Sequence, residues 1–280
     1  MSVAVAQDKV VLEAVTKAVK LGIVDVILVG DEEKIVEICE KENYSLDNIR
    51  IIDQKDTVKA AAKAVELVTN GQAHYIMKGL LGTAQLLKAV LNKEANLRLG
   101  GLLSHVMVYE VPNYSKLLFL TDGGMVPYPE LNEKILIIKN AVKIAHALNI
   151  ENPKVAPLCA VEVVNPSMQA TIDAASLTQM NRRGQIKGCI IDGPLALDNA
   201  ISKEAAKHKG IESEVAGDAD ILLVPSIEAG NLLGKSLTYF SGAENAGIIV
   251  GAKCPVVLVS RADSAKSKLY SIALGALTVE

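Results

Sequence analysis

Short apolar runs rich in β-branched residues alternate along the chain with segments in which apolar residues recur every three or four positions. The runs cover 2–6, 24–30, 49–53, 74–79, 154–160, 187–193, 220–226 and 255–260. Because they show little polar alternation, they are typical of strands buried on both faces, as in a parallel sheet. Helical spacing marks 11–19, 56–69, 132–149 and 265–278. The alternation predicts an α/β fold with mostly parallel sheets and helices on both faces.

The length of the chain and one loop favour two domains. At about 150 residues per domain, 280 residues correspond to two domains or to one large α/β domain. The segment TDGGMVPYPELN at 121–132 contains two glycines and two prolines, and it is the candidate boundary. Near the N-terminus, Asp8 stands between a strand and a helical pattern, so we predict that it caps that helix.

Composition and charge argue against several classes of partner. The formal net charge is −3 and aromatic residues make up 3% of the chain, with no basic block, so a nucleic-acid surface is not expected. Four cysteines are far apart and form no CxxC pair, which favours reduced thiols in a cytoplasmic protein over disulfides or zinc. The N-terminus lacks the pattern of a signal peptide, and no run of about 18 apolar residues would span a membrane.

In open α/β sheets, ligands bind at the carboxyl ends of the strands, so polar residues directly after each predicted strand are the candidates for a functional site. Lys78, Gly79 and Thr83 follow one strand and precede a helix, where a cation and backbone N–H groups suit an anion. A glycine turn with a solvated lysine is the structural alternative. Ser104 and His105 are adjacent and cannot face each other on a strand, so a hydrolase triad is not expected. Ser104 is either structural or a hydrogen-bond donor to phosphate.

Two segments of the second half carry further polar residues after strands. Asp192 and Asp198 follow one strand through a Gly-Pro turn, and either metal binding or capping of a helix by Asp198 suits them. The segment PSIEAGNLLGKS at 225–236 approaches a phosphate-binding loop, but Ala229 stands where that loop requires glycine. Asn231 and Lys235 remain as donors, four residues apart on one helical face.

The last predicted strand ends in Ser260 and Arg261, directly before a helix. An arginine can bind phosphate through two parallel hydrogen bonds. The N-terminus of the helix adds N–H groups at 262–264 and a favourable dipole. Of all the strand ends, this one is the best candidate for an oxyanion site.

Together these segments resemble the phosphate acetyl/butyryltransferase family, most closely its butyryl branch, over essentially the whole chain. The resemblance is carried by KGLLGTAQLLKAVL (78–91), LLSHVMVYEVPNY (102–114), TDGGMVPYP (121–129), PKVAPLCAVEVVNPSMQAT (153–171), DGPLALDNAISKEAAKHKGI (192–211), VAGDADILLVPSIEAGNLLGKSL (215–237) and VVLVSRADSAKSKLYSIALG (256–275). It implies transfer of an acyl group between coenzyme A and phosphate, with no metal and no tightly bound cofactor. It also implies a dimer or larger homo-oligomer.

The resemblance further implies an isocitrate/isopropylmalate dehydrogenase-like arrangement of two α/β domains. The first would comprise 1–128 and 253–280, and the second 129–252. Ser260 and Arg261 match a Ser-Arg pair at the active site of the acetyl branch. That branch also places an aspartate, the proposed base for the coenzyme A thiol, where this chain has Ser267. An arginine of the acetyl branch is replaced by Lys88.

These residues yield one set of site predictions and two rival functions. Catalysis is assigned to Ser260, Arg261, Lys235 and Asn231, and binding of phosphate or coenzyme A to Lys78, Gly79, Thr83, Lys88, Ser104, His105 and Asp198. His105 and Asp198 are also the candidates to replace the missing base. A metal-dependent dehydrogenase would instead use Asp192, Asp198, Asp218 and Asp220 around magnesium. A non-catalytic homologue that binds coenzyme A is the second rival.

Overall fold

A computed structural model describes residues 1–260 and 262–279, so Arg261 and Glu280 lie outside the described residues. In chain order the elements are β1 (Ser2–Ala4), α1 (Lys9–Lys20), β2 (Ile27–Gly30), α2 (Glu32–Glu42), β3 (Arg50–Asp53), α3 (Thr57–Thr69), β4 (Ile76–Lys78), α4 (Thr83–Val90), β5 (Ser104–Glu110), β6 (Leu118–Thr121), α5 (Leu131–Ala147), β7 (Lys154–Pro157), α6 (Gln169–Arg182), β8 (Ile190–Ile191), α7 (Leu197–Ile201), α8 (Lys203–His208), β9 (Ile221–Leu223), α9 (Ile227–Tyr239), β10 (Glu244–Val250), β11 (Val256–Val257) and α10 (Ala265–Leu277). The predicted α/β class is confirmed.

The chain divides into two compact units. Unit 1 comprises Met1–Gly101 with Ala246–Glu280, and unit 2 comprises Leu102–Asn245. The domain limits read from the sequence remain a prediction. The units differ from them because β6 pairs with β9, which keeps β5 and β6 in unit 2 although both strands precede the Gly- and Pro-containing loop used as a boundary.

Unit 1 is built on parallel strands in the order β3-β2-β1-β4-β11, with β10 antiparallel to β11. Three helices on this sheet begin at aspartates that end the preceding loops. The side chains of Asp8, Asp31 and Asp56 accept from backbone N–H groups of α1, α2 and α3, which satisfies donors that have no partner within a helix. The predicted cap at Asp8 is confirmed.

Unit 2 combines an antiparallel pair, β5 and β6, with parallel strands in the order β6-β9-β7-β8. Its core includes Leu120, Ala156 and Leu222 from the central strands. In both units most candidate site residues follow the carboxyl ends of parallel strands, in the next loop or helix, whereas Ser104 and His105 open β5. No described helix combines the length and the apolar character that crossing a bilayer requires.

Candidate active site

The loop between β11 and α10 is folded tightly around Ser260. The N–H of Ser260 donates to Oδ2 of Asp263 at 2.7 Å, and Oγ of Ser260 accepts from the N–H of Ala262 at 3.3 Å. The N–H of Asp263 donates to the carbonyl of Ser260 at 3.1 Å. Two of the three N–H groups expected to bind an anion, those of Ala262 and Asp263, therefore bond within the loop. Arg261 lies outside the described residues, so its predicted role stays a prediction.

The start of α10 is fixed by two serines. Oγ of Ser264 accepts from the N–H of Ser267 at 3.1 Å and lies 3.2 Å from Oγ of Ser267. Ser267 is buried and holds the position at which the acetyl branch has its aspartate. A buried hydroxyl in a helix cap cannot replace a carboxylate as a base near neutral pH.

A second loop of unit 1 follows β4, the strand that runs parallel to β11. The N–H of Gly79 donates to the carbonyl of Ala4 at 2.9 Å, and a Cβ on Gly79 would lie 2.6 Å from that oxygen. The glycine is therefore needed for close approach to β1, and its N–H is not available to an anion. Lys78 is buried, and its Nζ donates to the carbonyls of Gly79 and Leu81, each at 3.3 Å.

The other two candidates of unit 1 lie on α4. Thr83 opens the helix and is half-buried, and Lys88 is exposed in its last turn. Since the N–H of Gly79 is already bonded, an anion at this edge would meet the first turn of α4 instead of the turn before it. The structural alternative, a glycine turn with a solvated lysine, is wrong about the lysine. The ammonium group of Lys78 is buried and bonded to carbonyls of the loop.

In unit 2 the loop after β6 is organised by a buried carboxylate. Oδ1 of Asp122 accepts from the N–H of Gly124 at 2.8 Å and of Met125 at 2.9 Å, and Oδ2 accepts from that of Val126 at 3.3 Å. The peptide bond between Thr121 and Asp122 is cis. Burial raises the pKa of the Asp122 carboxyl, while the N–H of Gly124 and the charge of the His105 ring act in the opposite direction.

Ser104 and His105 take different places at the start of β5. Ser104 is fully buried, and its Oγ accepts from Nδ2 of Asn140 at 2.8 Å. Of the two roles predicted for Ser104, the structural one is therefore favoured, because a fully buried hydroxyl is not accessible to phosphate from solvent. His105 is half-buried, with its Nδ1 only 2.7 Å from where a Cβ of Gly124 would lie. Its ring packs on the Asp122 loop.

Asn231 and Lys235 are exposed on α9, which begins after β9 with Ser226 as its N-cap. Asp198 is exposed on α7, where Oδ1 accepts from the N–H of Asn199 at 2.8 Å and Oδ2 lies 3.5 Å from Nζ of Lys209. The prediction that Asp198 caps this helix is wrong by two positions, because the N-cap residue is Ala196. Asp198 forms a surface ion pair in unit 2.

A buried ion pair lies at the carboxyl ends of β7 and β9. Nζ of Lys134 on α5 is 2.5 Å from Oδ2 of Asp173 on α6, and both side chains are less than a tenth exposed. Nε2 of Gln169 donates to the other oxygen of Asp173 at 2.8 Å. The pair lines a cavity of about 10 Å³ together with Pro157 and Leu223. Nearby, burial raises the pKa of the Cys159 thiol to about 11.

Comparison with known proteins identifies the family. A family model described as phosphate acetyl/butaryl transferase matches residues 54–276. The phosphate butyryltransferase of Clostridium acetobutylicum is 57% identical over 277 residues, which cover 99% of this chain and 92% of that protein. The chain belongs to the phosphate acetyl/butyryltransferase family. It is therefore a transferase that acts on acyl-CoA and phosphate.

Two other members of the phosphate acetyl/butyryltransferase family extend the comparison. The phosphate acetyltransferase of Thermotoga maritima is 46% identical over 277 residues, covering 99% of this chain and 94% of that protein. The crystal structure of a branched-chain phosphotransacylase from Enterococcus faecalis V583 has a TM-score of 0.86 and 36% identity, covering 99% of this chain and 98% of that chain. The relatives of this chain thus include acetyl, butyryl and branched-chain transferases.

Several buried ionic groups of this transferase were not predicted from the sequence, among them Asp122, Lys134, Asp173 and Lys268. Each lies in a segment whose pattern marks only a loop or an amphipathic helix. Lys134 and Asp173 are 39 residues apart, so no local spacing could indicate their pairing. The sequence does contain an indication of the role of Asp122. An aspartate that precedes two glycines in a turn is well placed to accept hydrogen bonds from the backbone N–H groups that follow it.

Proposed function

We propose that the chain converts butyryl-CoA and phosphate to butyryl phosphate and coenzyme A. The observation that carries this proposal is the 57% identity with a phosphate butyryltransferase over nearly the whole chain. In the reaction, a phosphate oxygen attacks the thioester carbonyl, and an oxyanion forms. Collapse of this intermediate breaks the carbon–sulfur bond, and coenzyme A leaves as a thiolate. An alkyl thiol with a pKa of about 8.5 departs without an acid catalyst.

We place phosphate at the β11–α10 loop. Arg261 supplies a bidentate cation, and Ser264, at the cap of α10, supplies an N–H and the positive end of the helix dipole. Ser260 is exposed, and its hydroxyl is assigned as a donor to the oxyanion or to the departing sulfur. Such a donor contributes about 3 kcal/mol to transition-state stabilisation. Ser260 is not proposed as a nucleophile, because among the described residues the Asp263 carboxylate bonds to its N–H, and its Oγ accepts only from the N–H of Ala262.

The remaining predicted residues are assigned to the same reaction, Asn231 and Lys235 to catalysis and the others to binding or proton transfer. Asn231 and Lys235 are exposed donors on α9, and Thr83 and Lys88 of α4 are assigned to coenzyme A. His105 and Asp198 are the candidates to take the proton from coenzyme A in the reverse direction. Asp198 is accessible, whereas His105 would act from a half-buried position beside Asp122.

Further properties follow from family resemblance and chemistry. We propose an isocitrate/isopropylmalate dehydrogenase-like fold, a homo-oligomer of two or more chains, and no tightly bound cofactor. A cytoplasmic location fits the four cysteines, all of which are free thiols. The rival dehydrogenase function is not favoured, because the named relatives transfer acyl groups.

The proposed function is tested by release of free thiol from acyl-CoA. Butyryl-, acetyl- and branched-chain acyl-CoA are each assayed with and without phosphate. Release that requires phosphate, and is fastest with butyryl-CoA, is expected. Thiol release at the same rate with and without phosphate, or tight binding of coenzyme A without thiol release, would exclude the proposed reaction.

The phosphate site is tested in the same assay with Arg261→Ala. This variant should lose most activity and need more phosphate while remaining folded. Arg183→Ala, which removes an exposed arginine of unit 2, is the matched control and should behave like the wild type. Near wild-type activity of Arg261→Ala would place phosphate elsewhere.

A further inference from the structure

Lys268, in the first turns of α10, is a buried cation directed at the Ser260 loop. It is only 3% exposed. Its Nζ donates to the carbonyl of Asp263 at 2.6 Å and to that of Ser260 at 3.3 Å. Lysine is seldom buried to this extent, since removing an ammonium group from water is costly unless its donors are satisfied. Here two main-chain oxygens of a single loop accept from this ammonium group.

The electrostatic surroundings agree with this geometry. Burial lowers the pKa of Lys268, and the negative charges of Asp263 and Asp8 oppose that effect. Asp8 caps α1, and α1 packs against α10 in unit 1. The ammonium group is thus held by carbonyl oxygens under the loop, and the two acids offset part of the cost of burying its charge.

The two bonds from Lys268 also set the direction of a peptide group. In a trans peptide unit the C=O and the N–H point in opposite directions. Because the carbonyl of Asp263 is turned toward Lys268, the N–H of Ser264 in the same peptide unit is turned away from it. That N–H belongs to the cap of α10, where the proposed function places phosphate.

We propose that Lys268 is a positioning residue for phosphate. It draws the carbonyls of Ser260 and Asp263 inward, so that the N–H of Ser264 on the opposite side of the Asp263–Ser264 peptide unit is presented to the anion. It also neutralises carbonyl dipoles that would otherwise repel a phosphate dianion. This inference rests on the proposed function. Lys268 differs from Ser260 and Arg261 in that it acts through the loop and does not touch the substrate.

A purely structural role would give a different result on mutation. If Lys268 only stabilised unit 1, its loss would lower thermal stability and the amount of active enzyme, and the KM for phosphate would not change. A positioning role predicts a specific rise in the KM for phosphate, while the KM for butyryl-CoA stays within twofold. The change in the KM for phosphate, compared with the change in the KM for butyryl-CoA, therefore distinguishes the two roles.

The experiment compares Lys268→Met, Lys268→Arg and Lys266→Met in the full-length protein. Lys266 is exposed on the same helix, where its Nζ lies 5.6 Å from the centre of the Tyr270 ring. Its replacement changes the net charge by the same amount. Lys268→Met should raise the KM for phosphate at least about tenfold, as expected when a charged hydrogen-bond donor is lost. Lys268→Arg should recover part of this loss, and Lys266→Met should match the wild type.

The outcomes separate this inference from the proposed function. A wild-type protein that releases no thiol in the presence of phosphate would refute the function itself. An active wild type, with the same KM for phosphate in Lys268→Met and Lys266→Met, would refute only the role of Lys268. If Lys268→Met does not fold, the KM for phosphate of Lys268→Arg is used to test the inference instead. A several-fold rise in its KM for phosphate supports the inference, and an unchanged value overturns it.

Discussion

Gly123 and Gly230 meet through their main chains in unit 2. A Cβ on Gly230 would lie 2.6 Å from Cα of Gly123 and 2.9 Å from Cγ2 of Val224. The first turn of α9 therefore lies directly against the Asp122 loop. Because α9 carries Asn231 and Lys235, this contact sets the position of the helix that bears two of the proposed catalytic residues.

The glycine contact predicts that Gly230→Ala destabilises the protein. Alanine improves helix propensity by about 1 kcal/mol. The clash with rigid backbone costs about 1–3 kcal/mol or more, so the net effect is a loss. Urea unfolding should show a lower midpoint, and turnover should fall with it. Gly101→Ala is the control, because a Cβ there meets nothing within 4 Å. Equal midpoints for the two variants would contradict this account.

The buried ion pair predicts a large loss of stability when only one partner is removed. Asp173→Ala leaves the ammonium of Lys134 buried without its carboxylate, at a cost of about 3–5 kcal/mol. The double variant Lys134→Met/Asp173→Leu should recover much of that loss. The exposed pair Lys63–Glu66, with 2.9 Å between Nζ and Oε1, is the control. There, Glu66→Gln should change the unfolding free energy by about 0.5 kcal/mol or less.

Lys235 is predicted to serve catalysis and not stability. Since it is exposed on α9, Lys235→Ala should unfold at the wild-type urea midpoint, whereas its turnover should fall at least about tenfold. Lys139→Ala removes an exposed lysine from α5 and should retain full turnover. A turnover of Lys235→Ala equal to that of Lys139→Ala would show that Lys235 is an ordinary surface residue.

The buried Asp122 predicts a pH-dependent contribution to stability. In the unfolded chain this carboxyl loses its proton near pH 3.9, but burial raises its pKa in the folded protein. The contribution of the protonated Asp122 carboxyl to the unfolding free energy is therefore fully present below the pKa of the unfolded state. It is lost as the pH rises through the pKa of the folded state. The difference in unfolding free energy between wild type and Asp122→Asn should therefore decrease from about pH 4 upward. A difference that is constant up to pH 8 would contradict the raised pKa.

The parallel strands and their helices could be predicted because each depends on local patterns. Apolar runs marked the strands, and Asp8 marked the start of α1. The runs were longer than the observed strands: 187–193 contains only β8, Ile190–Ile191. The predicted strands did not include β5, β6 or β10, and the antiparallel pairs β5–β6 and β10–β11 were therefore missed. Strand pairing depends on partners that are distant in sequence.

The candidate site could be predicted only in part, for a related reason. Positions after strands pointed to Lys78 and Ser260, because the fold class alone indicates where ligands bind. Whether each side chain is buried, hydrogen-bonded or exposed depends on neighbours that are distant in the sequence. Lys78 proved to be folded under its loop, and Lys268 looked like any lysine of an amphipathic helix. Burial of a charge becomes visible only when the packing around it is known.

The four free cysteines have a practical consequence for measuring this enzyme. Burial raises the pKa of Cys189 to about 11 and that of Cys254 to about 12, and it also raises the pKa of Cys39. At pH 8 a thiol with a pKa of about 11 is ionised to roughly one part in a thousand, and only the thiolate reacts readily. A colorimetric thiol reagent added to the native protein should therefore report the released coenzyme continuously over a nearly silent background.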